Sequence, residues 1–130
     1  MEDRRKLGFR KLAGQYAIVH LPANSAVPNW ASRGEFTSIT RTAEELSIVC
    51  PIESLPQDVT SQPRWICLKL EGSFPFSMTG VLLSFIEPLS RNQVPIVAIS
   101  TFDTDYVLVQ EEHVQAALNC LRQAGHELAG

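Results

Sequence analysis

The chain has 130 residues, with 45% hydrophobic residues, 19% charged residues and a formal net charge of −3. That is the size and composition of an ordinary folded domain with a real core, which excludes a disordered, collagen-like or coiled-coil chain. No apolar run approaches the roughly 20 residues of a membrane span, and the charged start followed by a short apolar stretch (Tyr16 to Leu21) reads as no signal peptide.

Charge is unevenly placed. Arg4, Arg5, Lys6, Arg10 and Lys11 are five of the 11 cations, which leaves 6 basic against 12 acidic residues in 12–130. A body that acidic argues against nucleic acid as a partner, because phosphate affinity comes from clustered cations. Residues 1–14 read as a basic, solvated N-terminal segment.

In chain order, Gln15 to Leu21 is the first predicted strand, stopped by Pro22. Between Pro22 and Trp30 there is room for a loop or one helical turn. Glu35 to Thr40 alternates apolar and polar residues, and Leu46 to Cys50 ends at Pro51; both read as strands. Residues 51–63, with Pro51, Pro56 and Pro63, read as a linker. Arg64 to Leu70 sets Trp65, Cys67 and Lys69 on one face and Ile66, Leu68 and Leu70 on the other, and Gly72 closes this strand.

Met78, Val81, Leu82, Phe85, Ile86 and Leu89 form an apolar stripe at helical period. Pro88 is expected to kink its last turn or end its regular hydrogen bonding. Val94 to Ser100 and Tyr106 to Gln110 are strands, and Val114, Ala117, Leu118 and Leu121 mark a second helix stopped at Gly125.

Two stretches repeat. Ile39 to Val49 aligns without a gap on Ile99 to Val109 at an offset of 60, and Tyr16 to Leu21 on Trp65 to Leu70 at an offset of 49. The difference is about three helical turns, the helix that the second half has and the first half lacks. The expected fold is therefore α+β and ferredoxin-like, with duplicated βαββα units, antiparallel sheets and helices on one face. Residues 15–62 form the reduced half and 63–130 the full half.

The segment Gly72-Ser73-Phe74-Pro75-Phe76-Ser77-Met78-Thr79-Gly80-Val81-Leu82, followed by Val94 to Ser100 and Asp105-Tyr106-Val107-Leu108-Val109, resembles an ACT domain. More closely it resembles small tandem-ACT proteins related to aspartokinase regulatory ends and to the arginine-sensing CASTOR proteins, and Thr40 to Val49 also fits their first-half hairpin. The resemblance implies a non-catalytic regulatory role in which a small ligand, often an amino acid, is sensed at domain interfaces, and it favours a homodimer. The loop from Ser73 to Ser77 lacks the acidic residue that ACT domains commonly carry there.

Each candidate site residue has two readings. The Gly72–Gly80 loop feeds a helix N-terminus, whose N–H groups and dipole suit a carboxylate. Ser73, Phe76, Ser77, Thr79 and Gly80 belong to this ligand set; alternatively Ser77 is only an N-cap and Gly80 only permits close packing. Thr101, Asp103 and Asp105 lie at the second hairpin turn, where a carboxylate would hold an ammonium or guanidinium. Asp103 reads equally as an Asx turn, and Glu45 is the first-half counterpart of Asp105.

His20, His113 and His126 share no metal-ligand spacing, and His113 and His126 read as exposed surface. Cys50, Cys67 and Cys120 are an odd, widely spaced set, which points to free thiols in a reducing, cytoplasmic compartment. Trp30 and Trp65 read as core or interface anchors. No nucleophile elbow, P-loop or dinucleotide fingerprint is present.

The expectation is a ligand sensor without catalysis, cofactor or metal. A small zwitterion bridges the two loops, rigidifies the interface between halves or between subunits, and changes affinity for an unknown protein partner. A ligand-free interaction module is the alternative, and an enzyme the third.

Overall fold

The computed structural model describes residues 6–59, 62–72, 74 and 80–129. In chain order its elements are β1 (Gly8–Lys11), β2 (Tyr16–Leu21), β3 (Ser38–Arg41), β4 (Leu46–Pro51), β5 (Trp65–Leu70), α1 (Val81–Arg91), β6 (Ile96–Ser100), β7 (Asp105–Gln110), α2 (Val114–Gln123) and β8 (Glu127–Leu128). Single 3-10 turns occupy Asn29–Ser32, Ile52–Ser54 and Glu111–His113. The chain divides into two compact units, Ala13–Trp65 and a second that joins the segment up to Leu12 with everything from Ile66 onward.

In the Ala13–Trp65 unit, β4 lies between β3 and β2 and is antiparallel to both. Ala17 and Val19 of β2 with Leu46, Ile48 and Cys50 of β4 turn one face inward, and Trp30 and Ala31 of the first 3-10 turn cover it. Where the sequence left room for a loop or one helical turn, the connection from β2 to β3 carries the 3-10 turn Asn29–Ser32, which supplies a buried tryptophan. Residues 51–63 are more than a linker: Ile52, Leu55 and Val59 pack against the same cluster.

In the second unit, β1 pairs antiparallel with β5 and parallel with β8, while β7 pairs with β5 and, antiparallel, with β6. This sheet is mixed rather than purely antiparallel. Ile66, Leu68 and Leu70 point to the face on which Val81, Phe85 and Leu89 of α1 and Ala117, Cys120 and Leu121 of α2 pack, forming one core cluster with both helices. The result is a ferredoxin-like α+β fold.

Three further expectations change here. The basic N-terminal segment is not solvated throughout, because Gly8–Lys11 is a strand with Phe9 only 1% exposed beside buried Leu7. Burying such side chains stabilises by about 1.5–3 kcal/mol each, which offsets an ordering cost of roughly 1–2 kcal/mol per residue. Meanwhile Arg10 turns outward to Glu71 at 3.4 Å.

The second change is His126, which is 2% exposed rather than on the surface. Its Nδ1 accepts the Leu7 N–H at 3.0 Å, so Nε2 carries the proton and donates to the Ser84 carbonyl at 2.9 Å. His126 reaches the interior because α2 ends in a Schellman motif. Gly125, at φ +95°, lets its own N–H bond Arg122 O and the His126 N–H bond Leu121 O.

The third concerns Pro88, where regular hydrogen bonding does not end: α1 continues past it to Arg91. A proline removes the hydrogen bond to the carbonyl four residues earlier. That carbonyl is Ser84's, the one that His126 caps.

Candidate ligand site at the second hairpin

The β6–β7 hairpin pairs Ser100 with Asp105 as its last rung and turns through residues 101–104. A threonine, rather than an Asx turn at Asp103, holds this turn. Thr101 Oγ1 accepts the Thr104 N–H at 3.3 Å, and the Thr101 N–H donates to Thr104 O at 2.8 Å. Thr104 is buried, and its hydroxyl donates to Leu70 O at 3.1 Å, fastening the turn to the end of β5.

The loop after β5 meets this turn directly, through a hydrogen bond from the Phe74 N–H to Asp103 O at 3.0 Å. Gly72 at φ +101° and Gly80 at φ +79° occupy the left-handed region, where a β-carbon costs roughly 1–2 kcal/mol. Gly80 is the N-cap of α1 and supplies no side-chain cap. Its carbonyl accepts the Ser84 N–H at 2.9 Å and the Ser84 hydroxyl at 2.7 Å. The N–H groups of Val81, Leu82 and Leu83 precede the first intrahelical donor and carry the positive end of the helix dipole.

Between hairpin and helix start lies an open cavity of about 340 Å³, within the range of small-molecule sites. Val81 and Leu82 at the helix start and Asp103 and Asp105 at the hairpin all line it. Asp105 is half-buried, and Ser100 Oγ donates to its Oδ1. Asp103 is exposed.

Of the expected site residues, Gly80, Thr101, Asp103 and Asp105 come together around this cavity. Gly72 lines an adjoining cavity of about 430 Å³ with Lys69 and Tyr106, which shares Thr101, Asp103 and Thr104. Ser73, Phe76, Ser77 and Thr79 lie outside the described residues. Sequence reasoning missed Phe74, Leu83, Ser100, Phe102 and Thr104. A signal was present for two of them: Leu83 lies off the apolar stripe of α1, and Phe102 is an aromatic residue in a turn.

The counterpart assigned to Asp105 also changes. Arg41 and Leu46 form the last rung of the first hairpin, as Ser100 and Asp105 do in the second. Rung and turn therefore correspond at an offset of 59, with Thr42 in the place of Thr101; the Thr42 N–H likewise bonds Glu45 O, at 2.9 Å. Asp105 thus matches buried Leu46, not Glu45.

Among the described residues no group of three or more His, Cys, Asp or Glu side chains is placed to hold a metal ion. Nor is any helix among them long and apolar enough to cross a membrane. The three cysteines are free and buried. Burial raises the Cys50 thiol from its ordinary 9.0 to about 11 and also raises that of Cys120.

A family model for the ACT domain matches residues 60–123, and a separate N-terminal-domain model matches residues 14–58. Residues 60–123 form an ACT domain. A crystallised protein from Agobacterium tumefaciens is 46% identical, with a TM-score of 0.89, and the match covers 96% of this chain and 93% of that one. The mouse (Mus musculus) cytosolic arginine sensor for mTORC1 subunit 1 is 26% identical over 102 residues, 71% of this chain and 31% of the relative. This chain therefore spans about a third of the length of that curated relative. The regulatory subunit of aspartate kinase from Thermus flavus is 12% identical with a TM-score of 0.61, covering 92% of this chain and 99% of that one, a likeness of fold alone.

Proposed function

We propose that this ACT-domain protein is a non-catalytic sensor of a free amino acid, bound in the cavity between the start of α1 and the β6–β7 turn. One observation carries the reading. The Phe74–Asp103 hydrogen bond joins the helix-start loop to the acidic turn, so the start of α1 and a half-buried carboxylate line one cavity. An α-carboxylate is held at the helix start and the α-ammonium at Asp105, which is the charge pattern common to every amino acid.

The ligand ties loop to turn, and the ordered surface changes affinity for a protein partner. The protein works in the cytoplasm as a homodimer and performs no chemistry on its ligand. The ACT-domain match and similarity to an arginine sensor support the regulatory role.

Thermal unfolding against the twenty amino acids tests this. A ligand at 100 times its dissociation constant adds about 2.7 kcal/mol and raises the midpoint. Asp105→Ala abolishes that rise without unfolding the protein. A panel in which no amino acid moves the midpoint refutes the sensor and leaves a ligand-free interaction module.

A further inference from the structure

The cavity has more character than its two poles. Leu83 is 61% exposed and Phe102 79% exposed, and both border it, with Leu82 and Phe74 deeper against the core cluster. Large apolar side chains left open to water are a standing cost that an apolar ligand relieves.

The charged groups narrow the choice further. Among the described lining residues Asp103 and Asp105 are the charged ones, and lysine, arginine and histidine are absent. A ligand with an acidic side chain would add a third carboxylate to this wall. A basic side chain would need a second carboxylate once Asp105 holds the α-ammonium. The remaining candidate, Asp103, is exposed and also faces the adjoining cavity that contains Lys69.

We infer that the site selects an amino acid with an uncharged apolar side chain, such as leucine, methionine or phenylalanine, whose side chain covers Leu83 and Phe102. This rests on the amino-acid reading above. The α-carboxylate and α-ammonium take the two polar poles, and the side chain lies along the apolar wall.

Isothermal titration of the full chain with leucine, methionine, phenylalanine, alanine, arginine, lysine and glutamate separates the outcomes. An apolar member binds at least tenfold tighter than alanine, arginine, lysine and glutamate. Leu83→Ala lowers that affinity about tenfold and lowers alanine binding by much less, whereas Asp105→Asn weakens every ligand. Arginine or lysine binding as tightly as the best apolar ligand, still dependent on Asp105, overturns the inference and leaves the sensor reading standing. So does alanine binding equally well, or apolar binding indifferent to Leu83→Ala. If none of the seven binds and the full panel is silent, both readings fail together.

Discussion

His126→Phe removes both hydrogen bonds of a buried ring while keeping an aromatic side chain against Phe85, whose ring centre lies 5.3 Å away. The Leu7 N–H and the Ser84 carbonyl lose their partners at 3.0 and 2.9 Å. An interior polar group without a partner costs about 1–3 kcal/mol, so losing two partners costs about 2–6 kcal/mol. At a urea dependence of about 2 kcal/mol per molar, the unfolding midpoint falls by roughly 1–3 M. A second substitution isolates the Ser84 part. Pro88→Ala restores the N–H that this carbonyl would receive in an unbroken helix, which His126 makes redundant in the native chain. In the His126→Phe background the same change therefore costs about 1 kcal/mol less than it does alone, a coupling that a double-mutant cycle resolves. Additive single and double variants, or a His126→Phe midpoint within experimental error of the native one, would refute the idea that the histidine replaces the missing helical donor.

Gly34 has φ +120°, and a β-carbon there would lie 2.3 Å from Pro51 Cγ. Gly34→Ala should destabilise the protein by at least about 2 kcal/mol, seen as a lowered urea midpoint and faster proteolysis within residues 13–65. Thr104→Val keeps the shape but loses the bond to Leu70 O, which should cost about 1 kcal/mol and weaken amino-acid binding in titration calorimetry. Cys50 is fully buried, and its thiol is raised from 9.0 to about 11. The unfolded chain therefore releases this proton first, and the thiol's contribution is complete below pH 9 and lost as pH rises towards 11. At about 1.36 kcal/mol per pH unit, denaturation series across that window should lose on the order of 2–3 kcal/mol, and Cys50→Ala should flatten the slope.

The elements with a clean period were legible in the sequence. The alternation of Ile66, Leu68 and Leu70 and the helical stripe through Val81, Phe85 and Leu89 both meet in one core. Gly125 marked a helix end because only a residue tolerant of positive φ completes that cap. β1 was hidden because Leu7 and Phe9 sit among cations whose side chains extend into water, and composition masked a short alternation. β8 has two residues, too few for any period to show. His126 could not be read as buried, since its partners Leu7 and Ser84 are 119 and 42 residues away. The cavity beside the second hairpin, proposed as the ligand site, has a polar half whose turn and helix-start residues carry local signatures in the sequence. Its apolar half was not legible, because Leu83 and Phe102 are defined by what they fail to bury.

The one-residue difference between the repeat seen in the sequence and the correspondence of the two hairpins decides how many sites the chain can hold. On a strand, a slip of one residue exchanges the faces. At an offset of 60 an acid follows both turns, and two equivalent sites would be expected. At an offset of 59 the position of Asp105 is taken by Leu46, fully buried in the first unit's core. Arg41 stands where Ser100 holds the carboxylate, and its guanidinium donates instead to the carbonyls of Ala23 and Ser25. Where the second unit has α1, the first has only the four-residue turn Asn29–Ser32, too short for the dipole and donor set of a helix start. The first hairpin thus lacks both poles that an amino acid needs. Titration of the native chain should accordingly give one ligand per chain, and a stoichiometry of two would overturn this reading of the hairpins.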